Sequence, residues 1–316
     1  MSTAAHRQTG YVAAPRFSEP AVLEAPEPTE DLEQAKRDLT ESGMCLVSNV
    51  LSREQIDHLK EKLSAQAAAE RALGELAPAG AHDSKQIVAN MVNKGRDFLS
   101  LVEHPITDEL AGYMLGRQFL LSSLTGHLFN SPTSQPQQLH RDQGQVPATV
   151  DFPAACNVFW LLDDYTAKDG STLVIPGSHR WPAEAQINPP DPDQAIPLTA
   201  KAGTVFAWDG RLWHGTGVSQ TGRPRRAIAI YCCLPWMRQQ ENWGVTCLQE
   251  VLDAASDKLK ARLGLRTYGT LGGMSGTGSK ASLRSLGNND VVIPDYIIGE
   301  DAELFPTRRV TREEKP

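Results

Sequence analysis

His140 and Asp142 stand two residues apart in the stretch QQLHRDQGQ, residues 137 to 145. On an extended strand, side chains two apart share a face, so an imidazole and a carboxylate would project together. Two neighbouring ligands cannot close a metal site, and a third is needed. Of the eight histidines, His214 stands out: it follows the strand-like run GTVFAWD and lies in the glycine-flanked turn DGRLWHGTG. Two imidazoles and one carboxylate form a facial set suited to Fe(II), leaving three positions of an octahedron for a bidentate co-substrate and O2. An H-x-D pair alone arises often by chance, and a lone histidine in a β protein is usually a hydrogen-bonded core or surface residue. The placement between strands, with a late glycine-flanked histidine, is what gives the pattern weight.

A cation follows. RPRRAIAIYCCL puts Arg225 and Arg226 at the start of an otherwise apolar strand, where a guanidinium can grip a carboxylate through a bidentate fork. By alternation Arg225 shares its face with Ala227 and Ala229, small side chains that leave room for a ligand. Arg226 shares its face with Ile228 and Ile230. The bland alternative for either is a solvated strand end.

The elements that must carry these residues begin near residue 118. Short β-rich runs (QFLLSSLTGHLF, CNVFWLL, STLVIPGSH, GTVFAWDG, RAIAIYCCL) follow one another with turns and no helix between them, which predicts a sandwich or barrel. Upstream, DLEQAKRDLTESG reads as a helix ended by Gly43, and MCLVSNV as a strand. A long amphipathic helix follows, with Ser52 as N-cap and Gln55 in the capping-box position. ITDELAGYMLG predicts another helix. Residues 1 to 29, rich in Pro, Ala and Glu, predict a loosely attached, flexible arm. Residues 30 to 316 are expected to form a single domain: a helical part to about 117, a β-sandwich core from about 118 to 236, and an extension beyond. ENWGVTCLQEVLDAASDKLKARLG predicts a helix in that extension, and TLGGMSGTGSK a lid or linker.

Bulk properties exclude several classes. The chain has 316 residues, 22% of them charged, and a formal net charge of −7, with no basic stripe for nucleic acid. No apolar run approaches the roughly 18 to 20 residues of a membrane helix, and MSTAAHRQTGYVAAPRF lacks the apolar core of a signal peptide. The five cysteines, odd in number, read as buried thiols of a reducing compartment, so the expectation is a cytoplasmic protein.

His140-Arg141-Asp142, DDYTAKDGSTLVIPGSH (163 to 179), GTVFAWDGRLWHGTG and RPRRAI together resemble the phytanoyl-CoA dioxygenase (PhyH) family. GMCLVSNVLSREQIDHLKEKL and NKGRDFLSLVEHP resemble its N-terminal part, so the likeness runs from about residue 40 to about 235. The resemblance implies a double-stranded β-helix and an Fe(II)- and 2-oxoglutarate-dependent dioxygenase. Such an enzyme couples decarboxylation of 2-oxoglutarate by O2 to oxidation of a second, small-molecule substrate. It matches His140, Asp142 and His214 to the iron ligands. Arg225, eleven positions after the second histidine, matches the arginine that holds the distal carboxylate of 2-oxoglutarate. It further implies co-substrate contacts at Lys94, Thr125, Gln137 and Thr172.

The resemblance implies that a carboxylate at 142, where halogenases of this class carry a small residue, favours hydroxylation or a related oxidation. His179 is expected to be a turn residue, His127 to face either site or solvent, and Trp160, Trp208 and Trp213 to be core or pocket wall. GQVPATVDFP, next to the metal ligands, is apolar and points to a hydrophobic metabolite. Members of the natural-product branch pair through their C-terminal segments, so a homodimer is a further expectation. Competing readings are a cupin-like metal enzyme without 2-oxoglutarate, which would not need Arg225, and a non-catalytic binding relative.

Overall fold

The computed structural model describes residues 13–74, 85–129, 136–269 and 271–272. All of the expected TLGGMSGTGSK lid except Leu271 and Gly272 lies outside the described residues. In chain order come helix α1 (Leu32–Ser42), strand β1 (Met44–Val47), α2 (Arg53–Leu73) and β2 (Lys85–Val88). Helices α3 (Arg96–Val102) and α4 (Pro105–Leu115) precede strands β3 (Leu120–Phe129), β4 (Ala155–Leu161), β5 (Thr172–Val174) and β6 (Ile196–Pro197). Strands β7 (Val205–Asp209), β8 (His214–Thr216) and β9 (Arg225–Cys233) are followed by α5 (Trp243–Thr246), α6 (Gln249–Ala254) and α7 (Asp257–Arg262).

Six strands form one antiparallel sheet in the order β1-β7-β4-β9-β3-β2, and three form a second in the order β6-β5-β8. Sequence-distant neighbours within each sheet are what a double-stranded β-helix requires. The N-terminal part is more than helical, because β1 and β2 supply both edges of the large sheet.

Period-two alternation sorts each strand between two environments. On the outer face of the large sheet, Cys45, Leu124, Val158, Trp160, Val205 and Ile228 pack with α1 to α4, Leu63 of α2 among them, in one large core. On the inner face, Met44, Phe159, Leu161, Phe206, Trp208, Ala227 and Ala229 meet Val174 of the small sheet. The inner face is not filled at one end. Lys85, Ile87, Thr125 and His127 keep accessible surface, whereas Gln86, Val88, Gly126 and Leu128 on the other face are buried. Packing on this face is therefore looser beside β2 and β3 than on the outer face.

The caps follow the local sequence. Gly43 ends α1 in the left-handed region at φ 75°, and a Cβ there would lie 2.3 Å from His179 Nδ1. Ser52 and Gln55 form the reciprocal capping box of α2. The described part of the N-terminal arm is not loose. Phe17 N donates to the Arg180 carbonyl at 2.8 Å and Thr29 N to that of Leu46 at 2.9 Å. Arg16 donates to the carbonyls of Trp181, Ala148 and Val150 at 3.0, 2.6 and 2.8 Å. Composition missed this because the partners of Arg16 and Phe17 lie more than 130 residues away. The expected C-terminal helix is broken into α5, α6 and α7. Leu248 and Ala255 adopt extended backbone, and Asn93 takes the Leu248 N–H at 2.9 Å and donates to Thr246 O at 2.6 Å.

Candidate metal centre

His140 lies at the end of an extended segment that pairs with β8. Its N–H and carbonyl exchange hydrogen bonds with those of His214 at 2.9 and 3.0 Å, and Gln137 N donates to the Thr216 carbonyl at 2.8 Å. This pairing brings together two imidazoles from distant stretches, tilted by 49° with ring centroids 4.4 Å apart. Asp142, on the turn that follows, brings its carboxylate 3.8 Å from His140 Nε2 and 3.5 Å from His214 Nε2. One ligand atom from each of the three residues lies within 4.8 Å of the others, which is room for one metal ion.

The surroundings orient all three. The Nδ1 of His140 faces the Gln138 carbonyl at 3.1 Å and that of His214 faces the Leu212 carbonyl at 3.0 Å. Each carbonyl fixes the proton on Nδ1 and leaves the Nε2 lone pair for a metal. Burial, and then the neighbouring His214, hold His140 below its ordinary pKa, which favours the neutral ligand form. Asp142 Oδ2 accepts from Asn157 Nδ2 at 2.6 Å and from Trp208 Nε1 at 2.9 Å, while the Tyr231 hydroxyl donates to the Asp142 carbonyl at 2.9 Å. Two donors on Oδ2 use its two lone pairs and leave Oδ1 as the free acceptor. Asn157, Trp208 and Tyr231 are paired across β4, β7 and β9, so one row of the large sheet supports the carboxylate. Their part was missed from sequence. Asn157 was the visible signal, as the one polar residue inside CNVFWLL.

At the far end of β9, Arg225 is 2% exposed, and its guanidinium lies over Phe129 at 4.1 Å and Tyr165 at 4.6 Å. Its Nε and Nη2 are buried without a hydrogen-bond partner. Buried, unsatisfied charged donors are costly, and such a pair fits a carboxylate ligand. Arg226 points the other way, with Nε and Nη2 on Asp163 at 2.8 and 3.0 Å and Nη1 on Ser64 of α2 at 3.1 Å. The outer face has committed it to structure.

The structure does not bring Lys94 to this interior. Its ammonium donates to Glu70 Oε1 at 2.6 Å and to the Ala89 carbonyl at 2.5 Å, on the side of α2. The inner face instead carries Lys85, in register with Phe129 and with its ammonium 5.3 Å from that ring. Burial, then Arg225, push the Lys85 ammonium below its ordinary pKa. Sequence reasoning missed Lys85 because only the β2–β3 register puts it opposite Phe129. Thr125 lies on the inner face of β3, with its Oγ1 3.0 Å from His127 Nε2. His127 is therefore interior, and burial followed by Lys85 and Arg225 pushes it down to about 3, so it is neutral. Thr172 pairs with Thr216 and, by alternation, shares the face of Val174 towards the interior. Gln137 is exposed and accepts from the Thr216 hydroxyl at 3.0 Å. His179 is no ligand, since it packs on Gly43 with Nε2 3.2 Å from the Thr40 carbonyl.

A family model described as phytanoyl-CoA dioxygenase (PhyH) matches residues 39–227, more than half of the chain. The chain belongs to the phytanoyl-CoA dioxygenase family. Among curated relatives of this dioxygenase, Dioxygenase af480 of Aspergillus fumigatus is 32% identical over 249 residues, covering 76% of this chain and 79% of its own. Dioxygenase trt7 of Aspergillus terreus is 28% identical over 217 residues, covering 64% and 73%. Among solved structures, EctD from S. alaskensis superposes with a TM-score of 0.55 at 18% identity, covering 72% of this chain and 86% of that one. The non-haem α-ketoglutarate-dependent epimerase SnoN from nogalamycin biosynthesis superposes with a TM-score of 0.51 at 20% identity, covering 70% and 86%. These likenesses establish the double-stranded β-helix. Among the described residues, no helix is long and apolar enough to cross a membrane.

Proposed function

We propose that this dioxygenase is Fe(II)- and 2-oxoglutarate-dependent and hydroxylates a C–H bond of a small, largely apolar metabolite. One oxygen atom of O2 enters the alcohol and the other enters succinate, with loss of CO2. The observation that carries the reading is the combination of a preorganised His140–Asp142–His214 set with an unsatisfied arginine buried in the same interior. A metal enzyme without a dicarboxylate co-substrate has no use for that arginine. Solved relatives support the reading, since EctD has been crystallised with 2-oxoglutarate, and SnoN with Fe3+ and α-ketoglutarate.

On this reading His140 Nε2, His214 Nε2 and Asp142 Oδ1 hold Fe(II), with Asn157 and Trp208 holding the carboxylate in place. Arg225 takes the distal carboxylate of 2-oxoglutarate through its free Nε–Nη2 edge, between the ring faces of Phe129 and Tyr165. Lys85 adds positive charge on the same side. Thr125, Thr172 and Gln137 border this volume as further polar contacts. Bound Fe(II) supplies the redox chemistry with O2, and the protein determines what lies beside it. His127, Phe159 and Trp208 form a continuous aromatic wall, with successive ring centroids 5.2 and 5.5 Å apart, that keeps the interior dry.

The test is succinate formation from 2-oxoglutarate under Fe(II) and ascorbate, with candidate substrates screened for stimulation. Asp142→Ala and His140→Ala are expected to abolish it while keeping the fold by circular dichroism. Full turnover in either purified variant would remove the triad assignment.

A further inference from the structure

Inner-face residues follow a fixed order along β9. Arg225 is at its start, Tyr231 lies under the Asp142 turn, and Cys233 is at its end. At about 3.3 Å per residue, the segment beyond Cys233 lies on the opposite side of the metal site from Arg225. There the chain folds back along the start of β3. Gln239 Nε2 and Trp243 Nε1 donate to the Leu121 carbonyl at 2.6 and 2.8 Å, and Glu241 N donates to that of Ser122 at 2.9 Å.

A cavity of about 560 Å³ opens between this fold-back, the start of β3 and α7. Its apolar wall includes Leu120 and Met237, which pack with Ala155, Tyr231 and Cys233. Tyr231 thus touches both the cavity wall and the metal-ligand turn. Four arginines line the cavity, Arg117, Arg238, Arg262 and Arg266, and among the described residues no acidic residue does. Arg262 is held by Asp108 and by the carbonyls of Arg117 and Phe119, and Arg266 meets Asp257 at 3.2 Å. Asp108 also pairs with Lys258. Arg117 and Arg238 are exposed, and among the described residues no carboxylate pairs with either. On a chain with a formal charge of −7, this is a local concentration of positive charge beside an apolar platform.

We propose that this cavity is the outer subsite for the organic substrate. It seats a terminal anionic group, a carboxylate or a phosphate monoester, on Arg117 and Arg238. The apolar body of the substrate then lies over Leu120, Met237 and Tyr231 towards the metal site. The proposal rests on the reading of His140, Asp142 and His214 as the iron centre.

Fluorescence titration of the full chain with 1-anilinonaphthalene-8-sulfonate tests it, with the neutral analogue N-phenyl-1-naphthylamine alongside. In an Arg117→Gln/Arg238→Gln variant the sulfonate is expected to bind about tenfold more weakly, with the neutral dye unchanged. Arg53→Gln, an exposed position on α2, is the charge control and leaves both dyes unchanged. Decanoate and decyl phosphate are expected to displace the sulfonate where decan-1-ol does not, and the stronger competitor identifies the head group. Equal sulfonate binding by the double variant, or displacement by decan-1-ol as effective as by the anions, overturns the proposal. None of these measurements needs iron or 2-oxoglutarate, so their failure is separate from failure of the succinate assay.

Discussion

Replacing Arg225 by methionine removes a guanidinium that plays opposite roles before and after a dicarboxylate arrives. Without one, two buried donors go unsatisfied, at a cost of about 1–3 kcal/mol each. The ring faces at 4.1 and 4.6 Å return about 0.5–2 kcal/mol apiece. These terms nearly cancel, and methionine fills much of the volume, so the melting temperature of Arg225→Met should move by less than about 4 °C. Binding is different. Deleting one partner of a buried, bidentate charge pair costs about 3–5 kcal/mol, which is a loss of roughly 100- to 4,000-fold in 2-oxoglutarate affinity. Calorimetric titration of 2-oxoglutarate into the Fe(II)-loaded protein without oxygen reads this directly. Arg226→Met should behave in the reverse way, losing stability through its contacts with Asp163 and Ser64 and keeping its affinity. An Arg225→Met protein that binds 2-oxoglutarate within threefold of the parent would refute the reasoning, as would a large fall in its melting temperature.

Asn157→Leu should weaken Fe(II) binding by roughly 10- to 100-fold, because Asp142 loses the 2.6 Å donor that orients it; an anaerobic titration followed by tryptophan quenching checks this, and unchanged affinity would leave Asn157 a packing residue. His179 supplies a pH dependence remote from the metal. Burial lowers its pKa to about 4 in the fold, against about 6.5 when unfolded. Between those values the unfolded chain binds the proton and the fold does not, so stability is full above about pH 6.5 and falls as the pH drops towards 4, by up to about 3 kcal/mol. Melting curves at pH 7 and pH 4.5 should show a smaller loss for His179→Gln than for the parent, and equal losses would remove His179 as the source.

Legibility from sequence followed the range of the interaction. Helix ends were readable because their causes are local: Gly43 for a left-handed cap, and Ser52 with Gln55 for a capping box. The expected C-terminal helix is broken first at Cys247–Leu248, where the partner is Asn93, about 150 residues upstream. The described part of the arm is likewise anchored through Arg16 by partners far along the chain. Lys94 is what the resemblance implies, and Lys85 is not legible from sequence because its face depends on the strand register, with β2 pairing to a strand that begins more than 30 residues later.

The sequence alone therefore determined a sandwich or barrel of short strands, the candidate ligand trio of His140, Asp142 and His214, and two adjacent arginines at the start of one strand, and the resemblance narrowed that to a double-stranded β-helix. Residue type, period-two alternation and short spacing carry that information, and each survives without knowledge of what packs against what. Tertiary structure decided the rest. It bonded Arg226 to Asp163 and left Nε and Nη2 of Arg225 without a partner. It aimed Asn157 and Trp208 at one oxygen of Asp142, and it gathered Arg117, Arg238, Arg262 and Arg266 from three distant segments around one cavity. The reason is physical. A side chain's charge is encoded locally, but whether it is satisfied, desolvated or free for a ligand depends on neighbours that only strand pairing and burial supply.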